Sequence, residues 1–213
     1  MPSFKLVDAK LPEFGVPKTR PELDRSVYAQ RFAALARARR SAGFDALVIY
    51  ADREHSANLS YITGFDPRFE EALLVIVPDT TPTLLAGPEN LGRAAASLID
   101  VEARLYPPFG LMGQDRSKTP SLEEVLRNAG IGPNHRVGML GWKYFGPYEA
   151  AKPEAWLETP SYIVDVLRRI VGADGRVANA NALMMHPVTG LRAVNEVVQI
   201  AQFEFGAVAC SEA

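Results

Sequence analysis

Short aliphatic runs along the chain constrain its fold more than any other feature. The runs at 45–50, "DALVIY", and at 72–77, which stops before Pro78, have the length and composition of buried strands. Further strands are predicted at 81–87, 101–106 and 136–140, and a short strand or turn is predicted just after Arg176.

Helical patterns lie between these runs. They are predicted at 21–42, 88–98, 122–129, 147–156 and 163–170, with a short helix or turn near 54–60. Ser121 and Glu124 have the spacing of a capping box at the start of one of these helices. Strands that alternate with helices predict an α/β fold. The tight turn between 72–77 and 81–87 makes the sheet mixed rather than wholly parallel.

The two ends of the chain differ from this middle part. Residues 1–20 carry three prolines without a clear period and are predicted to be an extended arm. From Leu191 the sequence has one long helical pattern that is apolar on more than one side. Such a helix either docks on its own domain or a partner, or opens a second domain. The predicted division is therefore a domain at 1–190 and a helix at 191–213.

Composition excludes several classes of function. The 213 residues carry a net charge of −2, which offers no electrostatic basis for binding nucleic acid or an anionic membrane surface. No apolar run approaches the roughly 20 residues that span a bilayer. The N-terminus lacks the pattern of a signal peptide, and a single cysteine, Cys210, excludes an internal disulfide. A cytoplasmic location is the expectation.

No catalytic motif stands out. His55, His135 and His186 are far apart and lack metal-ligand spacing, and no cluster of carboxylates follows a strand end. There is no Gly-x-Ser-x-Gly nucleophile motif. The stretch 110–119 has the wrong glycine and lysine spacing for a phosphate loop. The sequence therefore predicts neither a metal ion nor a nucleotide bound to this chain.

The stretch 57–77 is the exception. Tyr61 to Phe65 is predicted to be a strand end that runs into a turn carrying Arg68 and Phe69, just before the strand at 72–77. Arg68 is either a solvated charge or a clamp for a carboxylate, with phenylalanine as an apolar wall. Alternatively, one of the two glutamates that follow Phe69 pairs with the arginine and silences it.

At these residues the chain resembles the N-terminal domain of the creatinase/prolidase/aminopeptidase P family, the Xaa-Pro dipeptidase or M24 group. "GFDALVIYADREHSANLSYITGF" is similar to the family's Gly-x-Asp-Ala strand followed by Tyr-x-Thr-Gly-Phe. The matching residues are Gly43, Asp45, Ala46, Asn58, Tyr61, Thr63, Gly64 and Phe65. Leu191, Arg192 and Ile200 resemble the segment that opens the family's second domain, although Asn195 stands where lysine is usual.

The resemblance implies a mixed sheet of about six strands with helices on both faces, a ribonuclease H-like motif. It places catalysis in a C-terminal domain where two Asp, one His and two Glu bind two divalent metals (Mn, Co or Zn), and this chain contains none of those motifs. The N-terminal domain would shape the substrate pocket and support a homodimer. Arg68 and Phe69, and less directly His55, would contact substrate in the partner's active site.

Three functions remain open from the sequence. The first is the non-catalytic N-terminal domain of such a hydrolase, inactive by itself and working with its own catalytic domain. The second is a free-standing dimerisation or interaction module of the same fold. The third is an unrelated α/β enzyme or small-ligand binder.

Overall fold

The computed structural model describes residues 5–10 and 15–212, and the chain divides into two compact units. One unit is Asp24–Val194. The other comprises the described parts of 1–23 and 195–213.

The larger unit contains a six-stranded sheet with the order β4-β3-β2-β1-β5-β6. The strands are β1 (Ala46–Ala51), β2 (Ala72–Ile76), β3 (Thr83–Ala86), β4 (Glu102–Leu105), β5 (Val137–Leu140) and β6 (Val177–Asn179). β2 runs antiparallel to both of its neighbours, whereas the other pairings are parallel. The predicted α/β class and mixed sheet are confirmed.

The helices of this unit connect the strands. They are α1 (Arg25–Ser41), α2 (Ala57–Thr63), α3 (Leu91–Ala94), α4 (Leu122–Asn128), α5 (Ser161–Val171) and α6 (Ala182–Met185). Single 3-10 turns lie at Pro107–Phe109, Pro153–Ala155, Asp174–Arg176 and Leu191–Ala193. The Ser121 hydroxyl accepts a hydrogen bond from the Glu124 N–H at 3.2 Å, which caps α4 as predicted.

The sheet is covered on both faces. All six residues of β1 are buried, as expected for a strand packed on two sides. Val48 belongs to an apolar cluster with Leu126 of α4 and Leu167 of α5. Leu47 and Ile49 alternate to the other face, and α2 contacts β1. A strand that is buried on both faces is apolar at successive positions, which is why the aliphatic runs could be predicted to be strands.

For two segments, the predicted type of secondary structure is wrong. Tyr61 to Thr63 lies in α2 rather than at a strand end, because Leu59 and Ile62 pack inward with helical spacing. The predicted helix at 147–156 is absent, and only Pro153–Ala155 forms a 3-10 turn. A proline in the middle of that segment removes a backbone donor and clashes with the preceding turn, so a regular helix cannot continue through it.

Two other predicted helices are shorter than expected. The helix at 21–42 begins at Arg25, because the Asp24 carboxylate caps it through the Ser26 and Val27 N–H groups. Of the helix at 88–98, only Leu91–Ala94 is α-helical, since the chain turns and the Leu98 N–H donates to the Thr63 carbonyl at 2.8 Å.

The smaller unit contains α7 (Val197–Glu212). The continuous helix predicted from Leu191 is wrong, because the 3-10 turn at 191–193 is followed by Val194 in an extended conformation with φ −122°. Parts of the predicted arm, residues 1–4 and 11–14, lie outside the described residues, as does Ala213. The described parts, 5–10 and 15–20, contain no helix or strand. Among all described residues, no helix is both long and apolar enough to cross a membrane.

Candidate functional site

Polar and aromatic side chains collect at one edge of the sheet. Five strands end at this edge and β2 begins there, because β2 alone runs in the opposite direction. We call it the carboxyl edge. Asp52 directly follows β1, Glu71 directly precedes β2, and Trp142 lies two residues after β5. In open α/β sheets, this is the edge at which ligands usually bind.

The loop Asp66–Phe69, called the Arg68 loop below, projects from the carboxyl edge. Arg68 has φ +60°, a left-handed conformation that non-glycine residues seldom adopt. The Asp66 carboxylate accepts a hydrogen bond from the Arg68 N–H at 2.9 Å and supports this turn. Arg68 is exposed and the Phe69 ring is 48% exposed. The loop therefore presents a cation next to an apolar ring.

A cleft of about 420 Å³ lies beside this loop. Its lining comprises Arg53, Glu54, Asp66, Arg68 and Phe69. Arg53 pairs with Glu54 at 3.3 Å, and both of these side chains are largely exposed. Sequence reasoning missed Arg53, although its position two residues after a buried strand in an α/β pattern was a usable signal.

Neither neighbouring glutamate neutralises Arg68. Glu70 is buried and is hydrogen-bonded to Asn90, whereas Glu71 accepts hydrogen bonds from tyrosine hydroxyls. Within residues 5–10 and 15–212, the Arg68 guanidinium makes no hydrogen bond or ion pair. The predicted alternative of a silenced arginine is therefore not what the structure contains.

The third predicted residue, His55, lies apart from the lining of the cleft. Its Nδ1 is 2.9 Å from an Asp52 carboxylate oxygen, and its ring stacks on Trp142 with centroids 4.0 Å apart. Burial by itself raises the pKa of the Asp52 carboxyl, but hydrogen bonds from the His55 ring and from backbone N–H groups outweigh it. The pKa of Asp52 is therefore lowered.

Two tyrosines complete the carboxyl edge. The Tyr50 hydroxyl donates to Glu71 at 2.7 Å, and the Tyr162 hydroxyl donates to the same carboxylate at 3.2 Å. Burial, together with the adjacent negative charge, raises the pKa of both phenols. Both hydroxyls are therefore protonated at neutral pH and act as hydrogen-bond donors.

Tyr61 and Thr63 of the Tyr-x-Thr-Gly-Phe segment lie on α2, Gly64 ends the helix, and the buried Phe65 follows it. The Tyr61 hydroxyl donates to the Leu191 carbonyl at 3.0 Å. The Thr63 hydroxyl donates to the Leu59 carbonyl at 2.8 Å and accepts from the Phe65 N–H at 3.0 Å. These residues position the loop that follows them rather than contact the cleft.

Asn58 continues this internal network. Its amide donates to the Gly141 carbonyl at 2.8 Å, and its carbonyl oxygen accepts from Arg192 at 2.8 Å. The Leu191–Arg192 segment is thereby bonded to α2 at two points, since Leu191 also accepts from Tyr61. Sequence reasoning placed Arg192 in a following helix and missed this contact.

Metal ions in proteins are held by His, Cys, Asp and Glu side chains that converge on one point. In the parts of the chain that the structure describes, no group of three or more His, Cys, Asp or Glu side chains could hold a metal ion. The described residues therefore do not provide the ligand set of a two-metal centre, and we assign no metal-dependent step to them.

Known proteins share this fold. A family model described as the creatinase/prolidase N-terminal domain matches residues 31–170, more than half of the chain. No curated protein matches the sequence. Dipeptidase PepE from Mycobacterium ulcerans is similar in structure, with a TM-score of 0.52 and 19% identity, over 85% of this chain and 40% of that one.

Two further solved structures are similar over less of this chain. A Xaa-Pro dipeptidase from Bacillus anthracis has a TM-score of 0.45 and 12% identity, over 73% of this chain and 34% of that one. The N-terminal, creatinase/prolidase-like domain of a metallopeptidase from Corynebacterium diphtheriae has a TM-score of 0.44 and 20% identity, over 72% of this chain and 95% of that one. The chain thus spans well under half of the two dipeptidases.

Proposed function

This chain belongs to the creatinase/prolidase N-terminal domain family, and from that premise we propose that it is the non-catalytic domain of a dinuclear-metal hydrolase. The hydrolase would act on Xaa-Pro peptides or creatine-like amidines. In this proposal, the chain shapes the substrate pocket and supports a homodimer. Its own catalytic domain would bind the two divalent metals, Mn, Co or Zn, and carry out the bond cleavage.

The observation that carries the proposal is that Arg68, beside Phe69, has a guanidinium without a partner in residues 5–10 and 15–212. An arginine guanidinium binds a carboxylate through two parallel hydrogen bonds, and no described residue of the chain competes for it. The Phe69 ring offers apolar contact to the body of the substrate. A carboxylate-bearing peptide is therefore the ligand class that this loop suits.

We assign His55 a less direct role at the same edge. Its Nδ1 is engaged by Asp52, which orients the ring against Trp142. Its Nε2 has no hydrogen-bond partner within the described residues, so it is available to a substrate group. His55 is not part of the cleft lining. As the family resemblance implies, it would contact substrate in the partner's active site together with Arg68 and Phe69.

Kinetics of the polypeptide that joins this chain to a catalytic domain would test the clamp. Arg68→Ala should raise KM for a Xaa-Pro dipeptide by roughly 10–100-fold, since a hydrogen bond to a charged group contributes ~1.5–3 kcal/mol. The value of kcat should change little, because the clamp holds substrate and transition state alike. Arg68→Lys should recover part of the effect by retaining the charge.

Arg127→Ala is the matched control. Arg127 is also exposed but pairs with Glu123 on α4, outside the cleft. Its removal should leave KM unchanged. An unchanged KM in Arg68→Ala would refute the proposed role of the loop. The chain by itself should not hydrolyse Xaa-Pro dipeptides or creatine with added Mn²⁺, and turnover by the chain alone would refute the non-catalytic assignment.

A second candidate function is a free-standing dimerisation or interaction module of the same fold. The exposed apolar residues of α7 favour it, since Val197, Ile200 and Phe203 are 85%, 53% and 60% exposed. Reading the gene beyond codon 213 separates the two candidates. Two Asp, one His and two Glu in family order would support the hydrolase, and a stop codon would support the module. Sedimentation of the chain as a clean monomer would argue against the module.

A further inference from the structure

A buried carboxylate lies directly under the Arg68 loop. Glu70 is 2% exposed, whereas its neighbour Phe69 is 48% exposed. We propose that Glu70 is a positioning residue, which holds Arg68 in the conformation that binds the substrate carboxylate. The inference rests on the proposed function, because it assigns Glu70 a part in the clamp.

The hydrogen bonds of Glu70 all lead to one turn. Oε2 accepts from the Asn90 backbone N–H at 3.0 Å and from the Asn90 side-chain amide at 2.8 Å. Oε1 accepts from the Glu89 N–H at 3.3 Å. Within the described residues, no Lys, Arg or His forms an ion pair with Glu70. Burying a charge without a counterion is costly, so this carboxylate depends on its three N–H donors.

The same turn fixes the Arg68 loop. The Asn90 amide that binds Glu70 also donates to the Pro67 carbonyl at 2.8 Å, and the Glu70 N–H donates to that carbonyl at 3.2 Å. The Asp66 carboxylate accepts from the Arg68 N–H. Arg68 is thus held between fixed residues on both sides. Its left-handed conformation, rarely adopted by arginine, persists only where the surroundings impose it.

Two glycines make room for the Glu70 side chain. A Cβ atom at Gly87 would lie 2.5 Å from Cδ of Glu70, closer than any real contact. A Cβ atom at Gly110 would lie 3.3 Å from Oε1. The carboxylate therefore occupies a space shaped around it. A side chain at position 87 would displace it without altering its charge.

Holding the loop in place should strengthen substrate binding. A clamp that is ordered before binding loses less conformational freedom when the ligand arrives. Replacement of Glu70 should consequently weaken binding through Arg68 rather than through a contact of its own. This dependence on Arg68 distinguishes positioning from a purely structural role.

The first experiment uses the chain itself and measures amide hydrogen exchange. Glu70→Gln should accelerate exchange of the Arg68 and Asn90 amides by about tenfold or more, because one glutamine oxygen cannot replace two charged acceptors. Gly87→Ala should have the same effect through displacement of Glu70. Glu71→Gln is the control, since Glu71 binds Tyr50 and Tyr162 instead. Unchanged exchange in both test variants would overturn the inference.

The second experiment measures KM in the polypeptide that includes the catalytic domain. Glu70→Gln should raise KM by about three- to tenfold with kcat nearly unchanged, and it should add nothing in an Arg68→Ala background. A second outcome is that Arg68→Ala raises KM and the effect of Glu70→Gln adds to it in full. The positioning role of Glu70 is then wrong, while the role of Arg68 in binding the substrate carboxylate is supported. If Arg68→Ala has no effect on KM, the proposed function fails, and Glu70 is then a structural residue only.

Discussion

Two adjacent parts of the stretch 57–69 differ sharply. The first, α2 with Gly64 and Phe65, is bonded and packed inside the larger unit, and Phe65 is 3% exposed. The second, the Arg68 loop, extends into solvent, and its guanidinium has no partner among the residues that the structure describes. The family-like motif therefore serves the fold, and the residues that directly follow it carry the candidate chemistry. Substitutions in the two parts, and in the residues that connect them to the rest of the unit, test this contrast.

The largest effect is expected from the two phenylalanines. Phe65→Ala should lower the free energy of unfolding by about 3–5 kcal/mol, because it leaves a cavity in the core. Phe69→Ala should lower it by only ~0.5 kcal/mol, since that ring is 48% exposed. Urea titration of both variants measures the difference. Equal losses would mean that the loop is part of the core and that the contrast is wrong.

The next effect concerns the glycine that separates the two parts. Gly64 has φ +72°, and a Cβ atom there would lie 2.8 Å from Cδ1 of Leu98. Gly172 ends α5 with φ +80° and has open space around it. Gly172→Ala should cost about 1 kcal/mol from backbone strain alone, and Gly64→Ala about 2 kcal/mol because Leu98 must also move. Thermal unfolding of both variants should preserve this order, and equal shifts would remove the steric part of the explanation.

A comparable or smaller effect is expected for the amide network. Asn58→Ala should lower the free energy of unfolding by roughly 1–3 kcal/mol, because it leaves the buried Gly141 carbonyl without its donor. Asn128→Ala, on the exposed end of α4, should change it by about 0.5 kcal/mol at most.

A double-mutant cycle that combines Asn58→Ala with Arg192→Ala measures how much of the lost stability comes from the interaction between these two side chains. The coupling between Asn58 and Arg192 should be about 0.5–1.5 kcal/mol, since the two side chains are 2.8 Å apart. Zero coupling would show that the hydrogen bond between α2 and the 191–193 turn contributes nothing to stability.

The smallest effect is a pH dependence at the carboxyl edge. The folded-state pKa of Asp52 is lowered, so its contribution to stability is present above the unfolded pKa of about 3.9 and is lost as pH falls through the folded value. The contribution should be below ~1 kcal/mol because the carboxylate is partly exposed. Urea titrations of the wild type and Asp52→Asn should converge as the solution is acidified below about pH 4. A difference that grows with acid would contradict the direction of the shift.

Much of the sheet was predictable because burial on both faces leaves a direct mark on the sequence. The strands at 45–50 and 72–77 are continuous aliphatic runs, and both lie in the middle of the sheet. The α5 pattern was equally clear, since Ile163, Leu167 and Ile170 recur on one buried side. In each case, the spacing of apolar residues within one element indicates which of its sides are buried.

The errors lie where short segments depend on distant partners. The seven residues of α2 are too few for a helical period to outweigh an alternative strand, and its helical state is stabilised by packing against β1. The different surroundings of the Glu70 and Glu71 side chains could not be predicted from the sequence either. The Glu70 carboxylate lies next to Gly87 and Gly110, whereas the Glu71 carboxylate accepts a hydrogen bond from Tyr50.

The α/β class, the mixed sheet and the place of the Arg68 loop before a core strand follow from the order of the amino acids alone, because hydrophobic burial follows the spacing of apolar residues along the chain. Three features required the tertiary structure: within the described residues the Arg68 guanidinium has no partner, Glu70 is buried against Asn90, and Asn58 binds Arg192 across 134 positions. Hydrogen bonds and charge pairing depend on distances of a few ångströms between remote residues, and no local pattern contains those distances.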